Sequence, residues 1–203
     1  MISVEKIIEA IESGGVVAAP TDTVYGLLAD ATNEEAVENV IHIKGREEGK
    51  GMPIFIASIE EAEKIALVDE HQKNILQKVW PGKVTAILPI KKNTKIAQNT
   101  LSNNNTIALR IPYHPLILEI LKTIKKPLTA TSANKSGLPS CATALCVQEQ
   151  LKKNLPDIII DGGDLKENES STIIDLTKNH PIIIRKGADF KKLQSLIHSN
   201  FGE

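Results

Sequence analysis

The segment IKGREEGKG at positions 43–51 sets Lys44, Arg46 and Lys50 within seven residues, interleaved with Gly45, Gly49 and Gly51. Cations at that density suit a polyphosphate, and the glycines let the backbone approach it. No GxxxxGK[ST] pattern is present, so this is not a Walker loop. A solvated charged loop is the plainer reading of the segment alone. Arg110 lies in the apolar run Ile107-Ala108-Leu109-Arg110-Ile111 and leaves two readings open. It is an edge arginine in water, or an arginine facing a carboxylate or phosphate, because burying an unpaired guanidinium is costly. Arg185 in IIIRKG poses the same choice, with strand-end surface charge as the plainer side.

Hydroxyl groups cluster near these cations. PTDTVYGLLAD at 20–30 follows the apolar run Val16-Val17-Ala18-Ala19. A plain turn needs Gly, Asn or Pro, not Thr21, Asp22, Thr23 and Tyr25 together. Ser132-Ala133-Asn134 and Ser136-Gly137 place hydroxyl and amide groups around a turn, and Ser170-Ser171-Thr172 leads from a polar loop into a strand. Both also read as ordinary turn and loop chemistry. Nucleophilic catalysis has no signature: His42, His71, His114, His180 and His198 are scattered, with neither HExxH nor GxSxG. An enzyme built on these residues works by positioning and charge stabilisation.

Alternating strands and helices must hold these groups. Apolar spacing predicts a helix capped by Ser3, with Val4, Ile7, Ile8 and Ile11 on one face and Gly14-Gly15 as its stop. Further helices are expected at Asn33–Ile43, after the capping box Ser58-x-x-Glu61, and at Glu70–Val79, Pro115–Ile124, Thr143–Lys153 and Phe190–His198. Strands are expected at 16–19, Pro53–Ala57, Val84–Ile90, Thr106–Ile111, Leu128–Thr131, Asp157–Ile160, Thr172–Leu176 and Ile182–Arg185. The pattern is that of one α/β domain, residues 1–203, with a twisted mixed sheet. Most polar clusters sit at strand ends, where ligands gather in such sheets. Lys91–Asn105 and Asp164–Ser171 read as polar loops.

Composition narrows the function classes. The 203 residues carry a net charge of −1 and 3% aromatics, which argues against a globally basic or base-stacking RNA surface. Cys141 and Cys146 match no zinc or CxxC spacing and read as ordinary thiols in a reducing compartment. The acidic N-terminal stretch is no signal peptide, and no apolar run reaches membrane-spanning length. A cytoplasmic protein without membrane contact is expected.

Taken in order, PTDTVYGL, IKGR…KG, WPGKVTAIL, TIALRIPYHP, PLTATSANKSGLPS, SSTIIDL and IIIRKG resemble the YrdC-type threonylcarbamoyl-AMP synthase family, in its short single-domain form. The resemblance implies a concave basic cavity bordered by a twisted mixed sheet and flanking helices. It implies a reaction of L-threonine, bicarbonate and ATP that yields threonylcarbamoyl-AMP and pyrophosphate. Separate transferase proteins would then use the product on tRNA beside the anticodon. By motif, Thr23, Arg110, Ala130 and Ser171 resemble the positions that hold L-threonine, with Arg110 on its carboxylate and Tyr25 in the same pocket. Arg46, Lys50, Thr106, Ser132, Asn134, Ser140 and Arg185 resemble the ATP contacts. Lys44, Arg46 and Lys50 would stabilise charge on the reacting phosphate. Magnesium is expected with the triphosphate, though no protein ligand set for it is visible. The chain departs from the pattern at Glu47, Leu28 and Ser170, where relatives often carry Pro, Gly and Pro. A double-stranded RNA or tRNA-binding or ribosome-maturation factor is the alternative reading. A carbamoyl-transfer domain of related fold is disfavoured, because neither acylphosphatase nor zinc modules accompany it.

Overall fold

The computed structural model describes residues 2–47, 49, 51–102, 104–165 and 169–201 (backbone alone at 200 and 201). Lys50 lies outside the described residues.

Five of the described helices begin where a short polar side chain caps them. Ser3 accepts from Lys6 N–H at the start of α1 (Val4–Glu12), which turns Ile7 and Ile11 inward. The chain then forms β1 (Val17–Ala19) and β2 (Gly26–Leu28). Asn33 caps α2 (Glu34–Lys44), and Gly45 ends it at φ 61°, a left-handed conformation that glycine adopts without strain. β3 (Ile54–Phe55) leads to α3 (Ile59–Ile65), where Glu61 reaches back to Ala57 N–H and Ser58 caps the helix. Asp69 and Gln72 form a reciprocal capping box on α4 (Glu70–Val79).

β4 (Val84–Pro89) and β5 (Thr106–Arg110) follow. α5 (Pro115–Ile124) carries Pro115 in its first turn, where the missing N–H costs nothing. β6 (Leu128–Thr129) and β7 (Thr131–Ser132) flank Ala130, and Thr143 caps α6 (Ala144–Leu151). β8 (Ile158–Ile159), β9 (Thr172–Asp175), β10 (Ile182–Arg185) and α7 (Phe190–Phe201) complete the described chain.

One mixed sheet was expected and two are present. A six-stranded sheet runs β10-β9-β4-β5-β3-β6, and a four-stranded sheet runs β7-β2-β1-β8. The difference lies in β2, which pairs antiparallel with β1 and β7. Read in sequence, Gly26-Leu27-Leu28 is too short to stand out behind the Thr- and Asp-rich turn. The expected strand Leu128–Thr131 is shared between the sheets: β6 pairs with β3, and β7 pairs with β2.

Alternation along the strands decides which side chains face the cavity. In the six-stranded sheet Ala86, Leu88, Ile107, Leu109 and Ile174 point into a core closed by Leu76 of α4 and Leu193 of α7. Their neighbours Ile87, Thr106, Ala108, Arg110 and Ile173 point to the opposite face. Both faces of β1 are covered. Val17 and Ala19 pack against α1 and α5, whereas Ala18 packs with residues of α2 and α6. Thr129 ties the sheets together: its hydroxyl donates to Leu27 O at 3.0 Å and accepts from Ala29 N–H at 2.9 Å.

The cysteine expectation is corrected by the structure. Cys141 and Cys146 are disulfide-bonded, with their Cα atoms 5.5 Å apart. Thr143 starts α6 between them, so the first helical turn brings Cys146 back within disulfide reach of Cys141.

The end of β10 is latched to the start of β9. Thr172 Oγ1 donates to Ala188 O at 2.7 Å and accepts from Gly187 N–H at 3.1 Å. A Cβ on Gly187 would lie 2.2 Å from Ser170 O and 2.8 Å from Ser171 O. Gly187→Ala is expected to lower stability by about 1–3 kcal/mol, the usual cost of overpacking. Urea denaturation of both proteins checks it, and equal midpoints would contradict the close approach.

Candidate active site

Between the two sheets lies a cavity of about 310 Å³, at the lower end of the small-molecule range. Among its described lining residues the charged groups are Lys44, Arg46, Arg110 and Arg185, and no Asp or Glu lines it. The wall is therefore cationic although the whole chain is nearly neutral.

Arg110 is 4% exposed and reaches the cavity from the end of β5. Its Nη2 pairs with Asp22 Oδ1 at 2.6 Å, Nη1 donates to Thr23 Oγ1 at 3.1 Å, and Nε donates to Gly82 O at 2.8 Å. Of the two readings left by the sequence, the water-facing arginine is excluded: Arg110 faces a carboxylate, that of Asp22. Asp22 also accepts from Tyr113 N–H at 3.0 Å through its second oxygen. The guanidinium carbon stands 5.6 Å from the centre of the Phe55 ring, a cation–π contact. Burial pulls the Arg110 pKa down while the Asp22 charge pulls it back up. A guanidinium has five N–H groups, and these three bonds use one on each nitrogen. One N–H on each Nη remains beyond them, so the group can still take a second carboxylate.

Lys44 closes α2 and is 4% exposed. Its Nζ contacts Ser132 O at 2.6 Å, Ser132 Oγ at 3.2 Å, Asn134 O at 3.1 Å and Asn134 Oδ1 at 2.9 Å. Asn134 in turn donates to Lys135 O at 2.9 Å and Leu138 O at 2.7 Å. Lys44 thus anchors the SANKSGLPS turn that carries Ser132 into the cavity. Burial, then the nearby Arg46 charge, lowers its pKa to about 8.

Arg46 donates to Gly51 O at 2.8 Å, and burial lowers its pKa. Arg185 grips Ser171: Nε and Nη2 donate to Ser171 O at 3.1 and 2.8 Å, and Nη2 to Ser171 Oγ at 3.1 Å. Its pKa is lowered by burial first and by the Arg110 charge second. Thr106 Oγ1 and Ser102 Oγ are hydrogen-bonded at 2.5 Å at the far end of β5.

Nine of the residues singled out in the sequence meet here: Thr23, Lys44, Arg46, Thr106, Arg110, Ala130, Ser132, Ser171 and Arg185. Tyr25, Asn134 and Ser140 are not among the lining residues. Tyr25 is buried in the core beside α6, and its hydroxyl donates to Gly163 O and accepts from Gly162 N–H, each at 2.9 Å. From the sequence, Thr21 and Asp22 were expected only as part of the Thr21–Tyr25 stretch lining the amino-acid pocket, with Thr23 as the direct contact, and Phe55 and Ser102 were passed over. A buried arginine demands a carboxylate, and that rule applied to TDTVY would have selected Asp22.

The family model Sua5_yciO_yrdC, described as "Telomere recombination", matches residues 9–187. The chain belongs to the Sua5/YciO/YrdC family. It is 37% identical to a threonylcarbamoyl-AMP synthase of Pyrococcus abyssi over 178 residues, covering 87% of this chain and 52% of that one. With the Photobacterium profundum threonylcarbamoyl-AMP synthase it shares 35% identity, covering 83% and 91%. The chain thus spans about half of the archaeal relative and most of the shorter bacterial one. Among solved structures of the family, P. abyssi Sua5 complexed with L-threonine superposes with a TM-score of 0.84 at 34% identity, covering 94% of this chain and 56% of that one. Escherichia coli YciO gives 0.82 at 26% identity, covering 91% and 89%.

Two outcomes follow for this Sua5/YciO/YrdC site. Asp22→Ala is expected to cost about 3–5 kcal/mol, because it leaves a buried guanidinium without its carboxylate; thermal and urea unfolding measure this. For Lys44, native titration at about 8 lies below the ordinary lysine value of 10.5. Between those values the unfolded chain binds more protons, so this group makes stability rise with pH. Lys44→Met is expected to lose that rise, read as the difference in urea midpoint between pH 7.5 and 9.5 in the two proteins (roughly the window the lysine values define).

Proposed function

We propose that this chain, as one YrdC-like domain, is an L-threonylcarbamoyladenylate synthase acting on L-threonine, bicarbonate and ATP. The observation that carries the reading is the cavity wall, with Lys44, Arg46, Arg110 and Arg185 and no lining carboxylate among the described residues. Such a wall favours ligands with several negative charges, as a triphosphate beside an amino-acid carboxylate would bring. The family relationship and the L-threonine bound to the P. abyssi relative support it.

In this reading the remaining N–H groups of Arg110 take the threonine carboxylate, with Thr23, Ala130 and Ser171 around the rest of the amino acid. The amine and bicarbonate combine, with loss of water, into an N-carboxylate. An oxygen of that group attacks the α-phosphorus, the new P–O bond forms, and the bond to pyrophosphate breaks. Negative charge on the phosphate oxygens and the leaving group is met by Arg46 and Arg185, with Lys50 assigned the same part by motif. Lys44 contributes from behind, by holding Ser132 and the turn that bears Ser140. Thr106 and Ser132 offer hydroxyls to the nucleotide. Fixed donors in a partly buried site need no rearrangement as charge develops.

Among the described residues no group of three His, Cys, Asp or Glu is placed to hold a metal ion. Magnesium would enter as part of the ATP substrate. Among the described residues no helix is long and apolar enough to cross a membrane. The reading implies a cytoplasmic enzyme whose product goes to a separate transferase and then to tRNA.

Protein mixed with ATP, bicarbonate and L-threonine is expected to release pyrophosphate only when threonine is present. No threonine dependence, together with tight salt-sensitive duplex RNA binding, would favour the RNA-binding alternative. Arg110→Lys keeps a cation for Asp22 but loses the fork that holds a carboxylate. It is expected to raise the threonine KM about tenfold or more, the equivalent of losing a charged hydrogen bond, with a smaller change in the ATP KM.

A further inference from the structure

The turn after β1 has a hydrogen-bond order that decides where each hydroxyl proton lies. Thr21 Oγ1 donates to Val24 O at 2.7 Å. A threonine hydroxyl has a single hydrogen, so Thr21 has no other to give. The same oxygen accepts from Thr23 N–H at 3.1 Å, and it lies 3.0 Å from Thr23 Oγ1. The hydrogen in that last contact must therefore come from Thr23. Thr23 Oγ1 also accepts from Arg110 Nη1 at 3.1 Å. Two lone pairs sit on a hydroxyl oxygen, and Arg110 takes one. Thr23 thus meets the cavity with one acceptor site and no hydrogen to donate. Both threonines are 4% exposed and both line the cavity, so this order is built into its wall.

We propose that Thr21 is a positioning residue that fixes Thr23 as an obligate acceptor, so that the pocket selects ligands bearing an N–H or O–H donor close to their carboxylate. The proposal deepens the synthase reading and rests on its assignment of an amino-acid carboxylate to Arg110. The two recognition elements are complementary in sign. Arg110 offers only donors, and Thr23, 3.1 Å away, offers only an acceptor. An α-amino acid carries its amine on the carbon next to the carboxylate, and threonine adds a hydroxyl one carbon further. Either group can supply the hydrogen that Thr23 lacks. A ligand presenting another carbonyl or carboxylate oxygen to Thr23 would leave two acceptors facing each other without a proton.

Thr21→Val keeps the shape and removes the hydroxyl. The Thr23 hydrogen then loses its partner and is free to turn toward the ligand. Calorimetric titration with L-threonine is expected to show about tenfold weaker binding in Thr21→Val, the size of one hydrogen bond. ATP titration should change by less than about twofold, and Thr21→Ser should bind L-threonine within about threefold of the parent. A purely structural role would not produce the next result. In a Thr23→Val background the further change Thr21→Val should cost nothing, because Thr21 acts only through Thr23. Parent-like threonine binding by Thr21→Val, or additive losses in the double variant, would overturn the proposal.

Should Thr21→Val fail to fold, the parent protein still decides. Proton NMR is expected to show the Thr23 hydroxyl hydrogen close to Thr21 and the Thr21 hydroxyl hydrogen close to Val24. The reverse order would refute the assignment. A parent that binds no L-threonine overturns the synthase reading and this inference with it. A parent that binds it equally with or without the Thr21 hydroxyl overturns only the role of Thr21.

Discussion

Arg110 is a charge the fold has to surround. Its partners come from distant parts of the chain: Asp22 and Thr23 from the turn after β1, and Gly82 from the segment between α4 and β4. Asp22 is held in turn by the backbone of Tyr113. An ion pair this deep recovers its desolvation cost only with good geometry and further hydrogen bonds, and both are present. A pair of apolar side chains of similar volume would often serve stability as well. In the proposed synthase reading the charge is a recognition element, and the bonds to Asp22, Thr23 and Gly82 let the fold tolerate its burial.

The strand alternation that closes the core also populates the cavity. On β5, Ile107 and Leu109 point into the core, while Thr106, Ala108 and Arg110 line the opposite face. A one-residue slip of β5 would exchange these sets and bury the guanidinium among Leu76, Val84 and Leu88. Pairing on both sides, with β4 antiparallel and β3 parallel, holds the register. Lys44 does a related job without a strand. By gripping oxygens of Ser132 and Asn134 it joins the end of α2 to a turn 88 to 90 residues away.

Much of this was legible beforehand, for physical reasons. Caps and stops are local, so Ser3, Ser58 and the Gly14-Gly15 pair marked helix ends that the structure reproduces closely. The long apolar runs Val84–Ile90 and Thr106–Ile111 were also readable, and they form β4 and β5. What failed was short or non-local. Gly26–Leu28 is three residues long and becomes a strand only by pairing with β1 and β7. The disulfide was missed even though the helix start at Thr143 was read, because two cysteines five residues apart match no familiar spacing. At the site, cation types and strand-end positions pointed to a shared cavity, because charge in an apolar strand demands an explanation. Tyr25 shows the limit. It sits two residues from Thr23, yet its ring turns into the core and its hydroxyl serves the backbone at Gly162 and Gly163. Neighbours in sequence need not share a face, and only the path of the turn decides which do.

The seam at Ala130 bears on how anything enters. This residue sits between a strand of one sheet and a strand of the other, and its N–H is fixed to Pro53 O at 2.8 Å. Beside it the Thr129 hydroxyl stitches to Ala29 and Leu27. Prising the sheets apart would rupture both Thr129 bonds, while the Ala130 bond holds the seam to β3. The floor behaves as a rigid keel, and molecular traffic must pass over the open rim.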